Sequence, residues 1–129
     1  MKITTELEGM ANNTASSQAI SNLIGEDGYT LLHYAAKKNI DIALYLVNKG
    51  NDINAVDNNG YNPLHKAADN GNINIVQYLV DKGCDINAVD NDGNSPLHEA
   101  AMNGNIETVN YLKALSYAIL LIMSIKLDS

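Results

Sequence analysis

A histidine recurs at positions 33, 65 and 98, each time five residues after a glycine: Gly28, Gly60 and Gly93. The intervals between copies are 32 and 33 residues. A fixed period of that length limits the chain more than any other feature in it. One unit of about 33 residues cannot bury its own apolar face, so the copies must stack and share an interior. Laid over one another, DGYTLLHYAAKKNIDIALYLVNKGNDINAVD, NGYNPLHKAADNGNINIVQYLVDKGCDINAVD and DGNSPLHEAAMNGNIETVNYL share a turn, a short helix, a second turn and a longer helix.

Each shared feature has a local cause. The DNNG and DNDG strings place Asp and Asn, which bond their own backbone in turns, before a Gly that takes positive φ without a Cβ clash. Thr30, Asn62 and Ser95 then offer an acceptor to an orphan helix N–H, and Pro63 and Pro96 follow at the first helical position, where a missing donor is harmless. The alanine pairs Ala35/Ala36, Ala67/Ala68 and Ala100/Ala101 keep that helix slim, so that neighbours approach closely. In the second helix, Ile40, Ala43, Leu46 and Val47, and then Ile73, Val76, Leu79 and Val80, fall at the spacing of one buried helical face. Gly50 and Gly83 follow as left-handed caps, and each DINAVD leads into an extended, hairpin-like finger.

With NPLHKAA and SPLHEAA in phase with a third copy, the chain resembles ankyrin repeats, whose period is 33 residues and whose signature is T-P-L-H-x-A. The resemblance implies an all-α solenoid of stacked helix-turn-helix units with hairpin-like fingers. Its divisions are an N-terminal segment (1–25), repeats at 26–56 and 57–89, an incomplete third repeat at 90–113, and an apolar, helical C-terminal tail (114–129). Two departures stand out. Copy one has Leu31 in place of proline and lacks a glycine in KKNID, which predicts a tighter turn between its helices, and copy three loses the pattern after Leu112.

The chemistry available is narrow. All eight basic residues are lysines and fifteen are acidic, a net charge of −7, so no guanidinium fork is present and a phosphate backbone is repelled. Nucleic acid is therefore not an expected partner. Cys84 is the sole cysteine, which forbids an internal disulfide and points to a reducing, intracellular setting. Stacked units set equivalent side chains about 8–10 Å apart, too far for His33, His65 and His98 to share one metal. The resemblance implies instead that each histidine bonds its cap and the backbone of the adjoining finger. Carboxylates fall at turns and helix starts, with no repeated close pair, and there is no GxxxxGK[ST] or GxSxG string. No cofactor, metal or catalytic residue is expected.

The resemblance implies protein binding on the concave side, through finger tips and first helices. In this chain those positions are Glu26, Asp27 and Tyr29; Asn58, Asn59 and Tyr61; and Asn91, Asp92 and Asn94. Lys37, Lys38, Asp69, Asn70, Met102 and Asn103 extend the surface, with Tyr29 and Tyr61 as the preferred anchors. The acidic tips favour a partner with a basic patch. Alternatives are a remnant of a longer array without independent function, or a metalloprotein. Short ankyrin proteins of this style also suggest delivery into a host cell.

The ends are less defined. In residues 1–25, Ile20, Leu23 and Ile24 suit a short amphipathic helix that shields the first unit. Ala114 to Ile125 is twelve residues without charge, below the ~20 of a membrane span. Three roles fit this tail: a cover for the end of the core, a sticky segment that self-associates or touches membrane, or the non-native end of a truncated array.

Overall fold

The computed structural model describes residues 27–128; Glu26 and the expected capping helix in 1–25 lie outside the described residues. Six helices follow in order: α1 (Leu31–Lys38), α2 (Ile40–Asn48), α3 (Pro63–Asn70), α4 (Ile73–Asp81), α5 (Pro96–Met102) and α6 (Ile106–Asp128). No strand occurs among the described residues. First helices pack on first helices (α1 on α3, α3 on α5) and second helices on second (α2 on α4, α4 on α6), which is the stacking the period demands.

The first helices start alike. Thr30, Asn62 and Ser95 each accept the N–H of the histidine three residues on, while that histidine's ring accepts the cap's own N–H, a reciprocal box that satisfies two orphan donors. Between helices the units differ. Gly71 ends α3 at φ 76°, and Gly104 sits at φ 69° before α6. In the first unit Asn39 alone closes α1 and caps α2, at φ −143° and without glycine, so that turn is tighter, as the sequence KKNID predicts. Gly50 and Gly83 lie two residues past the ends of α2 and α4, just after the C-cap lysines Lys49 and Lys82, at φ 88° and 97°.

The interior is continuous across units. Leu31, Leu32, Ile42, Ala43 and Leu46 form one cluster. The next gathers Leu64, Ala67, Ile75, Val76, Leu79 and Cys84 together with Ala36 from the unit before and Leu112 from the unit after. Val47 and Ile53 pack against both. The buried arc of the second helices is wider than the sequence pattern suggests. Ile42 and Ile75 are buried, while Ile40, Val47, Ile73 and Val80 are only half-buried. A helix wedged between its own first helix and two stacked neighbours is covered from three directions, so a single three-and-four stripe understates it.

Cys84 is 4% exposed, and its Sγ lies 3.3 Å from the Ile53 carbonyl. Burial pushes its thiol up to about 12. Thiolate is the reactive form, so alkylation by iodoacetamide at pH 8 is expected to proceed at least a hundredfold slower than in the urea-unfolded chain. Labelling at a comparable rate in both states, followed by mass spectrometry, would contradict the buried placement.

Helix α6 departs most from a repeat. Its first part closes the third unit with buried Thr108 and Leu112, and Leu115 and Ser116 are half-buried. Beyond Ser116 it leaves the core: Leu120, Leu121, Ile122, Met123 and Ile125 are each more than half exposed, and Leu127 is 85% exposed. The tail therefore does not cover the end of the core. Because it continues the same helix, Ile106–Leu127 is long and apolar enough to cross a membrane by length and composition, a broader stretch than the uncharged twelve residues suggest. The portion past Lys113 that is free of the repeats spans only about 20 Å at the helical rise, against about 30 Å of bilayer hydrocarbon. Replacing Leu120 and Met123 with lysine is expected to raise solubility severalfold and shift the melting temperature by less than about 2 °C, since neither side chain is buried in the fold. A large drop in melting temperature would show that these residues have a hidden partner in the fold.

Candidate protein-binding surface

The three finger tips are tied in register by backbone bonds. Asn58 N–H donates to Asp27 O at 2.7 Å, and Asn91 N–H donates to Asn59 O at 2.9 Å. Asn91 Nδ2 adds a 2.8 Å bond to Asn58 O. Within each tip an aspartate organises the turn: Asp57 Oδ1 accepts the N–H groups of Asn59 and Tyr61, and Asp90 Oδ1 those of Asp92 and Asn94. These carboxylates are almost fully buried, and they hold the tips from beneath. At the far ends of the first helices, Asn70 donates to Lys37 O and Asn103 donates to Asp69 Oδ1 at 2.6 Å.

The histidines serve this framework. His33 Nδ1 meets Thr30 Oγ1 at 2.8 Å and its Nε2 meets Tyr61 O at 2.7 Å; His65 does the same with Asn62 Oδ1 at 2.8 Å and Asn94 O at 2.9 Å. Both rings are buried, and burial, opposed by the bond to the next finger's carbonyl, holds both imidazoles below their ordinary value. With both nitrogens occupied, neither ring is free to ligate a metal or take a proton from a substrate. His98 keeps the bond to its own cap, Ser95 Oγ at 2.9 Å, but no finger lies above it, and it is exposed. Among the described residues no group of three or more His, Cys, Asp or Glu side chains could hold a metal ion.

Of the residues expected on the binding face, Asn58, Asn59, Asn91, Asp92, Lys38, Asp69, Asn70, Met102 and Asn103 are exposed. Asn94 is half-buried and spends its N–H and carbonyl on Asp90 and His65, so its backbone is structural. Lys37 is half-buried. Tyr29 and Tyr61 are also half-buried, each ring against the histidine of its own unit, with centroids 5.4 and 5.5 Å apart. Between the two tyrosines sits Lys66, which sequence reasoning passed over. Its Nζ is 5.3 Å from the Tyr29 centroid, 4.2 Å from that of Tyr61 and 3.7 Å from Asp57 Oδ2. The signal was available: Lys66 follows the repeated histidine, one helical turn from the capping asparagine, on the side that faces the fingers. Glu99, its counterpart in the third unit, was missed for the same reason. A small open cleft of about 90 Å³ lies beside it, lined by Tyr61, His65, Lys66, Asp69 and Glu99.

Reciprocal histidine caps, register-locked tips and first-on-first helix stacking are the features that one known family combines. A model of ankyrin repeats in three copies matches residues 32–120, well over half of the 129 residues. No curated protein matches the chain. The match and the stacked helical units together place this chain in the ankyrin-repeat family, whose members are generally protein-interaction modules.

Proposed function

We propose that the chain is a non-enzymatic module that holds a protein partner across its finger tips and the exposed sides of α1, α3 and α5, inside a cell. The observation that carries this reading is the face itself. Its tips are fixed to one another through backbone atoms, while the side chains of Asn58, Asn59, Asp92 and Met102 remain exposed. A surface already ordered in the free protein loses little conformational freedom on binding, which favours affinity. The ring atoms that could have done chemistry are spent on the scaffold. The buried, reduced Cys84 suits a reducing compartment.

The test compares two surfaces. Affinity capture from the source cell uses the wild-type chain, a tip-face variant (Asn58→Arg with Met102→Arg) and an outer-face variant (Gln77→Arg with Asp81→Arg), all four positions being exposed. A protein retained by wild type and the outer-face variant, and lost from the tip-face variant, supports the reading. Loss from the outer-face variant alone would move the binding surface to the second helices.

A further inference from the structure

The two halves of α6 meet different surroundings. From Ile106 to Ser116 the helix lies against the repeats and buries Thr108 and Leu112; from Tyr117 onward it projects from them. Each of α1 to α5 turns one side inward, whereas the projecting part of α6 has no inward side. Leu120, Leu121, Ile122 and Met123 are consecutive, and at about 100° per residue they point to four quarters of the helix. All four are more than half exposed. Ile125 and Leu127 extend the bare stretch, and no charged residue falls between Lys113 and Lys126.

That distribution around the axis decides what can cover it. A second helix, from another copy of this chain or from another protein, covers the single stripe of a pairwise seam and would leave at least two of those four side chains in water. The hydrocarbon of a bilayer meets a helix on every side at once, and a helix apolar all round is the kind it receives. The backbone suits that medium. Helix α6 runs unbroken from Ile106 to Asp128, so the N–H groups of the bare stretch bond within the helix, and Ser116 Oγ donates back to Leu112 O at 3.0 Å. Lys113 and the exposed Tyr117 stand where the helix leaves the repeats, and both are residue types that settle at the level of lipid headgroups.

We propose that α6 past Ser116 inserts into one leaflet of a lipid bilayer and holds the repeats at the membrane surface. Its depth follows from its length. Residues Tyr117 to Leu127 rise about 16 Å, close to half of a hydrocarbon core about 30 Å thick and too short to cross it. Lys126, near the far end, sends its stem back toward the headgroups of the same leaflet, which sets the helix at a slant. Charge does not supply the attraction. With fifteen acidic residues against eight lysines the chain as a whole is repelled by an anionic surface, so a zwitterionic one suffices. This anchoring is independent of partner binding by the finger tips.

The chain has no tryptophan, so Ile122→Trp places a single indole reporter in the bare stretch. The full-length reporter is mixed with phosphatidylcholine vesicles and followed by flotation and by fluorescence. It is expected to float with the vesicles, to shift its emission to the blue, and to be quenched by lipids brominated on the acyl chains. Raising salt from about 50 to about 500 mM is expected to change the partition less than twofold, since screening acts on charge and not on apolar burial. Adding Leu120→Lys with Met123→Lys to the reporter is expected to weaken partition at least tenfold, with the melting temperature checking that the repeats are intact. Failure to float, partition that survives the two lysines, or partition lost in high salt would each overturn the proposal. An emission already blue in water, with an oligomer by sedimentation and no bromine quenching, would also overturn it and assign the tail to a second copy of the chain.

Discussion

Replacing His65 with alanine is expected to destabilise the fold by about 3 kcal/mol, while the same change at His98 costs less than about 1 kcal/mol. The two residues occupy the same place in the repeat and make the same bond to their own cap. Only His65 also reaches the next finger, through Nε2 to Asn94 O at 2.9 Å, and only His65 is buried. Its loss leaves a cavity beneath the tip and removes the ring's bonds to Asn62 and to the Asn94 carbonyl. For a chain of this size, with a total stability of about 5–15 kcal/mol, that is a large share. Urea unfolding of the two variants, followed by circular dichroism, gives the comparison; equal costs would mean that the finger bond contributes nothing.

Acid adds a second readout. Because burial holds the His65 and His33 imidazoles below their ordinary value, the folded chain prefers them neutral. On acidification the unfolded chain takes up protons first, so their stabilising contribution is complete above the unfolded value of about 6.5 and is lost as pH falls through the folded ones. The His65→Ala variant keeps only the share of this slope that belongs to His33.

The second large effect is expected at Gly60. Alanine there costs about 2–3 kcal/mol, against about 1 kcal/mol for alanine at Gly93. Backbone strain is common to both, since φ is 82° at Gly60 and 83° at Gly93. Space separates them. A Cβ on Gly60 would stand 2.9 Å from Asn91 Oδ1 and 3.0 Å from both Asn91 N and Asp90 Cα, whereas a Cβ on Gly93 meets nothing within 4 Å. The extra methyl wedges the second and third fingers apart and pulls on the bond from Asn91 N–H to Asn59 O. Thermal melts of both variants measure the difference. If they matched, the close approach of the fingers would have no energetic weight.

Much of this architecture is legible in the chain because its causes are local and repeated. A glycine at positive φ, a capping side chain, a proline at the first helical turn and an alanine pair each act within a few residues, and three copies in phase reinforce one another. The histidine's role was readable only through the family resemblance, since its second bond reaches a carbonyl 28 or 29 residues on. What the sequence hid depends on neighbours. Lys66 looks like an ordinary solvated lysine until two tyrosines from different units close around it. Glu99 looks like favourable charge in a first helical turn until stacking brings Asp90 beside it. The partial burial of Tyr29 and Tyr61 came from the same stacking. The three roles open to the tail were not separable in the sequence because its apolar composition carries no periodicity to show which side is left bare, and nearly every side is bare past Ser116.

The backbone ties between fingers join residues about one period apart, as do the contacts between like helices. Among the described residues the bonds between fingers join adjacent units, so tension applied at the two ends passes through each junction in series. Such a chain has no single clasp that must fail before the rest gives way. Stretched in an optical trap, it should lengthen in successive small steps, one unit peeling from the next, rather than in one abrupt rupture.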